Sequence, residues 1–314
     1  MENAPAAGPP TVVIAPLESY APEAVDAALR SGLEPLGGAG AFVRPGARVV
    51  LKPNFLFPRP VERAVCTHPQ ILRGVARAAQ GAGAASVVAT DSPGFGTARA
   101  CARRLGLGDD EPFSVADADD ARSTDSPASR FHGLHLSRRM LDADCLINLP
   151  KLKTHGQMTL TAAVKNTFGA VVGMEKAQWH FRAGRDPRAF ARLLVEVHRL
   201  VAPRLSILDA VVGMEGNGPG SGDPRRLGAL VLSEDAHALD AVACRLVGID
   251  PDELLTLRVA RELGLAPDPS AIRVVGPKPE SLRPSPPWRP ARPASLRAIG
   301  PTGWLARSEE RRVG

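Results

Sequence analysis

Four segments of this chain set a charged or amide side chain directly after a short apolar run. Lys52, Pro53 and Asn54 follow residues 48–51; Asp91 follows 86–90; Lys151, Lys153 and His155 follow 145–149 across Pro150; Asp209 follows 205–208. Lys165 and Asn166 come ten residues after His155 on an expected helix, and His68 stands just before Pro69. Lysines of this kind suit an anionic group such as a carboxylate or phosphate, and a desolvated lysine has its pKa lowered far enough to act as a base. The candidate catalytic residues are therefore Lys52, His68, His155 and Lys165, with the histidines moving protons. Asn54, Lys151, Lys153 and Asn166 are candidate substrate contacts. Asp91 and Asp209 would orient the lysines or, with His155, hold a divalent metal. Each residue alone also has a plain reading, as a solvated lysine, a turn-fixing aspartate or a hydrogen-bonded histidine. Their coincidence says more, because the carboxyl ends of parallel strands share one edge, where loops converge and helix N-termini point.

Residues 214–222 read Met-Glu-Gly-Asn-Gly-Pro-Gly-Ser-Gly. Asn217 and Gly218 are candidate ligand contacts there, since glycines let backbone N–H groups approach a ligand closely. The loop is either a lid or oxyanion-binding turn, or a plain hairpin connection. It matches neither G-x-G-x-x-G nor a Walker loop, and protease, α/β-hydrolase and zincin signatures do not occur. His180, beside Trp179 and among Lys176, Arg182 and Arg185, is expected on a loop over the same site.

The elements that must position these residues alternate. Strands are expected at 11–15, 48–51, 86–90, 145–149, 205–208, 229–232 and 272–275, and helices at 22–36, 69–81, 97–105, 159–168, 187–201 and 237–246. The acid-rich stretch 109–130 reads as a solvated connection. Such alternation implies right-handed crossovers and an α/β fold, a mostly parallel sheet with helices on both faces. Aromatics are 4% of residues against 44% apolar residues overall, so the core must be Val, Leu, Ile and Ala.

The formal charge of +6 is concentrated at the end of the chain: residues 278–312 hold eight Lys or Arg and three Glu. The rest is near neutral, too little for a nucleic-acid footprint. Four scattered cysteines lack zinc or cluster spacing and point to a reducing, cytoplasmic setting of bacterial type; no apolar run approaches membrane-spanning length. Residues 1–10 are expected as a disordered leader, 11–276 as one α/β domain, and 277–314, with eight prolines between Pro277 and Pro301, as a disordered Pro/Arg-rich linker or tail of a truncated chain.

At these residues the chain resembles the family called domain of unknown function 362. The matching stretches are Val49 to Asn54, Thr67-His68-Pro69, Thr90 to Gly94, Asn148 to His155, Val164 to Gly169, Met214 to Pro219 and Asp235 to Asp240, in this order over roughly residues 12–276. The resemblance implies an α/β domain that in many relatives precedes a ferredoxin-like module binding [4Fe-4S] clusters, and so redox work. This chain has no cysteine after Cys244. Either the chain is truncated before that module or it is a member without a cluster, and a cluster is expected only in a missing C-terminal module or in a partner that donates electrons.

The expected function is a redox-linked enzyme domain that binds a small anionic substrate at the strand ends. The alternative is a non-catalytic ligand- or metal-binding maturation factor acting with a partner protein. One consequence is direct: purified anaerobically, this chain should carry no stoichiometric [4Fe-4S] cluster, because its cysteines lack ligand spacing. Cluster absorbance with matching iron and sulfide would contradict that.

Overall fold

The computed structural model describes residues 8–125, 131–173, 175–176, 178–179 and 186–292. The chain runs β1 (Thr11–Pro16), α1 (Pro22–Leu33), β2 (Arg48–Pro53), α2 (Pro69–Gly81), β3 (Ser86–Asp91), α3 (Ala98–Arg104), β4 (Ser114–Asp117), β5 (Ala121–Thr124), β6 (Leu134–Ser137) and α4 (Arg138–Leu141). It continues through β7 (Cys145–Leu149), β8 (Lys151–His155), β9 (Thr159–Thr161), α5 (Ala163–Asn166), α6 (Pro187–Val201), β10 (Leu205–Glu215), β11 (Asp223–Ser233), α7 (Ala236–Val247), α8 (Leu255–Glu262) and β12 (Arg273–Val275).

Helix starts follow local chemistry. Pro69 opens α2 and His68 caps it, its ring accepting from the Gln70 N–H; Asp186 and Asp235 cap α6 and α7 with their carboxylates. The strands of the sheet centre are buried on both faces, as parallel strands between helical layers must be: all five residues of β7 are buried. Val49, Leu51 and Ile147 pack with α1 and α2 on one face, and Val50, Leu146 and Leu208 pack with α6 and α7 on the other.

The main sheet has the order β12-β1-β11-β10-β7-β2-β3-β4. Every neighbouring pair in it is parallel except those of β11, which runs antiparallel to both β1 and β10. The carboxyl ends of β1, β2, β3, β7 and β10 therefore lie along one edge. From β2 the chain proceeds outward to β3 and β4, then returns to β7 on the other side, so the direction of winding reverses between β2 and β7. Ligands of open α/β sheets bind beyond such a reversal.

Several expectations need correcting. Pro150 lacks an N–H and interrupts the strand, but the chain resumes at once as β8, which pairs with β10 at Asp209↔Lys151. Lys151, Lys153 and His155 are therefore strand residues rather than loop residues. β10 runs for eleven residues, so Asp209 lies inside it, beside a register shift. The helix expected over 159–168 is β9 followed by the single turn of α5 and a 3-10 turn, Thr167–Ala170. Part of the acid-rich stretch 109–130 is ordered as β4, on the sheet edge, and β5, paired with β6.

The Pro/Arg-rich stretch divides in two. Residues 293–314 lie outside the described residues, as do His180, Arg182 and Arg185. Residues 277–292, expected to be linker, pack on the body: Trp288 is buried over Gly213, and Arg289 pairs with Glu215 at 2.9 Å and Asp223 at 2.7 Å. One tryptophan supplies an apolar anchor that the prolines and arginines around it conceal in composition. Trp288→Ala should cost about 3 kcal/mol, or roughly 5–10 °C. Equal melting temperatures for Trp288→Ala and the unaltered chain would contradict the docking.

Candidate functional site

The ends of β2 and β3 meet in a buried ion pair. Lys52 Nζ lies 2.8 Å from Asp91 Oδ1 and donates also to the Pro53 carbonyl at 3.1 Å, while Asp91 Oδ2 accepts from the Phe55 N–H at 2.8 Å. Lys52 is 0% exposed. Burial pushes its pKa down, and Asp91 opposes the shift. Gly169 forms the lid of this pair: a Cβ there would stand 2.0 Å from Asp91 Oδ1 and 2.5 Å from Lys52 Nζ. Only glycine lets the backbone cross so close.

Beyond β7 and within β10 lies a second pair. Lys151 Nζ is 2.8 Å from Asp209 Oδ2 and 3.0 Å from the Tyr20 hydroxyl, which donates to Asp209 Oδ1 at 2.7 Å and accepts from the Val212 N–H. The His68 N–H donates to Asp209 at 3.0 Å, and its ring stacks on Tyr20 with centroids 3.5 Å apart. Burial raises the pKa of Tyr20, helped by Asp209, and burial lowers that of His68 to about 4. At neutral pH this is a neutral phenol and a neutral imidazole locked around one carboxylate.

Three further lysines fill the space around these pairs. Lys153, fully buried, donates to the Val65 carbonyl at 2.6 Å. Burial lowers its pKa to about 7; the charges of Lys165 and Lys151 lower it further, while Cys66 and Asp91 oppose. Half-buried Lys176 donates to the Ser92 carbonyl, and burial takes its pKa to about 7. Half-buried Lys165, lowered to about 8 by burial, makes no hydrogen bond or ion pair among the described residues. The Cys101 thiol, hydrogen-bonded to Cys66, lowers the Cys66 pKa, and Lys153 adds to the effect. The chain has six lysines among its 39 basic residues, and five of them gather at this edge.

α5 is held against the strand ends from the far side of the sheet. Asp240 of α7 accepts from the Ala163 N–H at 2.6 Å and the Val164 N–H at 3.1 Å, capping the turn that carries Lys165 and Asn166. Burial raises its pKa to about 7 against the pull of those two N–H groups. Asn166 bonds Asn54 and Asn148, both at 2.8 Å, and Thr67 ties the Asn54 N–H to the Leu149 carbonyl.

Of the residues singled out in the sequence, Lys52, Asn54, Asp91, Lys151, Lys153, Lys165, Asn166, Asp209 and His68 all lie along this edge. They form two adjacent pairs, one under Gly169 and one under Tyr20, with Lys153 in electrostatic reach of both Lys151 and Asp91. Three expectations are displaced. His155 turns the β8–β9 hairpin, its Nδ1 accepting from the Gln157 and Met158 N–H groups. Asn217 is exposed on the β10–β11 connection, and Gly218 serves close packing, since a Cβ there would meet the Thr154 carbonyl at 2.2 Å. Asp91 and Asp209 sit as separate counter-ions rather than as a ligand set, and no three His, Cys, Asp or Glu side chains gather for a metal among the described residues. Sequence reasoning assigns no site role to Tyr20, Cys66, Asn148 and Asp240. Two signals were available: Tyr20 is the sole tyrosine, and lysine is scarce in a chain rich in arginine.

Removing one partner of a buried pair strands the other. Lys52→Met should cost about 3–5 kcal/mol in urea unfolding, and the double change Lys52→Met/Asp91→Leu should cost less than the two single changes together. A cost below about 1 kcal/mol for Lys52→Met would mark the pair as a solvated one.

Over 254 residues the chain is 44% identical to a thylakoid-associated protein of Synechocystis sp., a match covering 80% of this chain and 78% of that protein. Among solved structures it resembles the lactate racemase apoprotein of Thermoanaerobacterium thermosaccharolyticum at 13% identity, with a TM-score of 0.48, over 77% of this chain and 58% of that one. A structural-genomics protein of Thermotoga maritima matches at 14% identity, with a TM-score of 0.45, over 73% of this chain and 60% of that one. The chain thus spans less than two thirds of either solved structure. The family model described as domain of unknown function (DUF362) matches residues 49–245, which carry every lysine of the site, and the chain belongs to that family.

Proposed function

We propose that this domain is an enzyme that binds a small anionic substrate at the lysine-lined edge beyond β2, β3, β7 and β10, where Lys165 holds or moves a proton of the bound substrate. The observation that carries the reading is a charge imbalance. Five lysines face two carboxylates, both already engaged, and the Lys165 ammonium has no partner among the described residues. Uncompensated positive charge in a desolvated place is unfavourable, and a bound anion corrects it. A lysine whose pKa lies near neutrality is also suited to proton transfer.

Electron supply from a ferredoxin-like partner or a C-terminal [4Fe-4S] module belongs to the proposal through family resemblance, and the lysine site needs no such donor to bind its anion. A cytoplasmic setting is proposed from the four free, buried cysteines. No helix among the described residues is long and apolar enough to cross a membrane. A second reading, a factor that holds a ligand for a partner, draws support from the enclosure of Lys52, Lys151 and Lys153, each at most 1% exposed. Turnover as opposed to stoichiometric binding separates the two.

Calorimetry with inorganic phosphate and acetate tests the site. The folded pKa values of Lys153, Lys165 and Lys176 are lowered to about 7–8, so these groups lose charge as pH rises through that range. Affinity should fall between pH 6.5 and 9, binding at pH 8 should take up protons, and Lys165→Met should weaken binding about tenfold. Absence of binding by either anion, or affinity indifferent to both pH and Lys165→Met, would contradict the reading.

A further inference from the structure

Asn148, Asn166 and Asn54 form a ladder of buried amides whose direction is fixed. Asn148 Nδ2 donates to the Ala163 carbonyl at 3.0 Å and to Ser206 Oγ at 3.2 Å. A carbonyl only accepts, so that terminal atom is the NH2, and the Asn148 oxygen faces Asn166. Asn166 Nδ2 donates to it at 2.8 Å and also to the Lys52 carbonyl at 3.3 Å, which fixes the second amide independently. The Asn166 oxygen in turn accepts from Asn54 Nδ2 at 2.8 Å.

The last atom, Asn54 Oδ1, is therefore an acceptor by necessity, and it has no hydrogen-bond partner although the residue is only 9% exposed. Turning the amide over would set two carbonyl oxygens against each other. The backbone of Asn54 is satisfied, with its N–H on Thr67 Oγ1 and its carbonyl accepting from the Thr67 N–H. Asn54 stands two residues beyond Lys52, and its partner Asn166 directly follows Lys165. An ammonium without an anion and an acceptor without a donor thus belong to the same two segments.

We infer that the ligand is an anion bearing a hydroxyl group, a hydroxylated carboxylate or phosphate, and that this hydroxyl donates to Asn54 Oδ1. The inference rests on the anion-binding reading and names its substrate class. A neutral hydroxyl fits better than an amino group, because an ammonium would add to the positive charge of Lys52, Lys153, Lys165 and Lys176.

Pairs of ligands that differ by OH in place of CH3 test it: glycolate against propionate, and 2-hydroxyethyl phosphate against propyl phosphate, titrated into the full chain by calorimetry. The hydroxyl member of at least one pair should bind about fivefold or more tightly than its methyl partner, the pair that responds identifying the anion. In Asn54→Leu that preference should vanish, the two members of the responding pair binding within about twofold of each other. Equal binding within both pairs would overturn the inference and leave anion binding standing, with water on Asn54 Oδ1 instead. Absence of binding by all four and by inorganic phosphate would remove both. Should Asn54→Leu fail to fold, the pairs on the unaltered chain decide alone.

Discussion

Desolvated ammonium groups are the constraint around which this structure is arranged. Each lysine brought to the strand ends loses hydration worth several kcal/mol, and each is compensated differently. Lys52 and Lys151 have a carboxylate apiece, Lys153 and Lys176 have a backbone carbonyl, and Lys165 has neither among the described residues. The paired lysines fix geometry, and under the proposed function the uncompensated one is the group that meets a ligand.

The fold supplies the means. Parallel strands buried on both faces bring their carboxyl ends to one edge, and Lys52 and Lys151 stand on the two sides of the reversal of winding between β2 and β7. Asp209 then ties four segments together, taking hydrogen bonds from Tyr20 after β1, His68 before α2, Lys151 of β8 and its own strand at Val211. Asp240 does the corresponding work from the opposite layer, since it holds the one-turn helix α5 by two N–H groups and so sets where Lys165 and Asn166 point. A helix of four residues has little stability of its own. Its position is a property of the carboxylate that caps it.

The residues legible in the sequence were those whose placement follows from strand direction alone. Lys52, Asp91, Lys151 and Asp209 each follow or lie within an apolar run, and a parallel sheet leaves them one edge to occupy. What could not be read depends on contacts between distant segments. Tyr20 reaches Asp209 across 189 positions, and Asp240 reaches Ala163 across 77. His155 and Asn217 were singled out by residue type, and the structure shows in addition that both stand at turns, which strand direction alone does not reveal. Trp288 was hidden by its neighbours, as composition averages away a single anchoring side chain.

The titration of the lysine ammonium groups tests this picture most directly. With six lysines in the chain, selective 13C and 15N labelling of lysine gives a spectrum simple enough to follow each Nζ and Cε through a pH series. Lys153, Lys165 and Lys176 are expected to titrate near 7–8, and the Lys165 signal is expected to move to higher pKa when inorganic phosphate is added. If all three titrate together near the ordinary lysine value of about 10.4 and ignore phosphate, the strand ends are solvated and the desolvated lysine site does not exist.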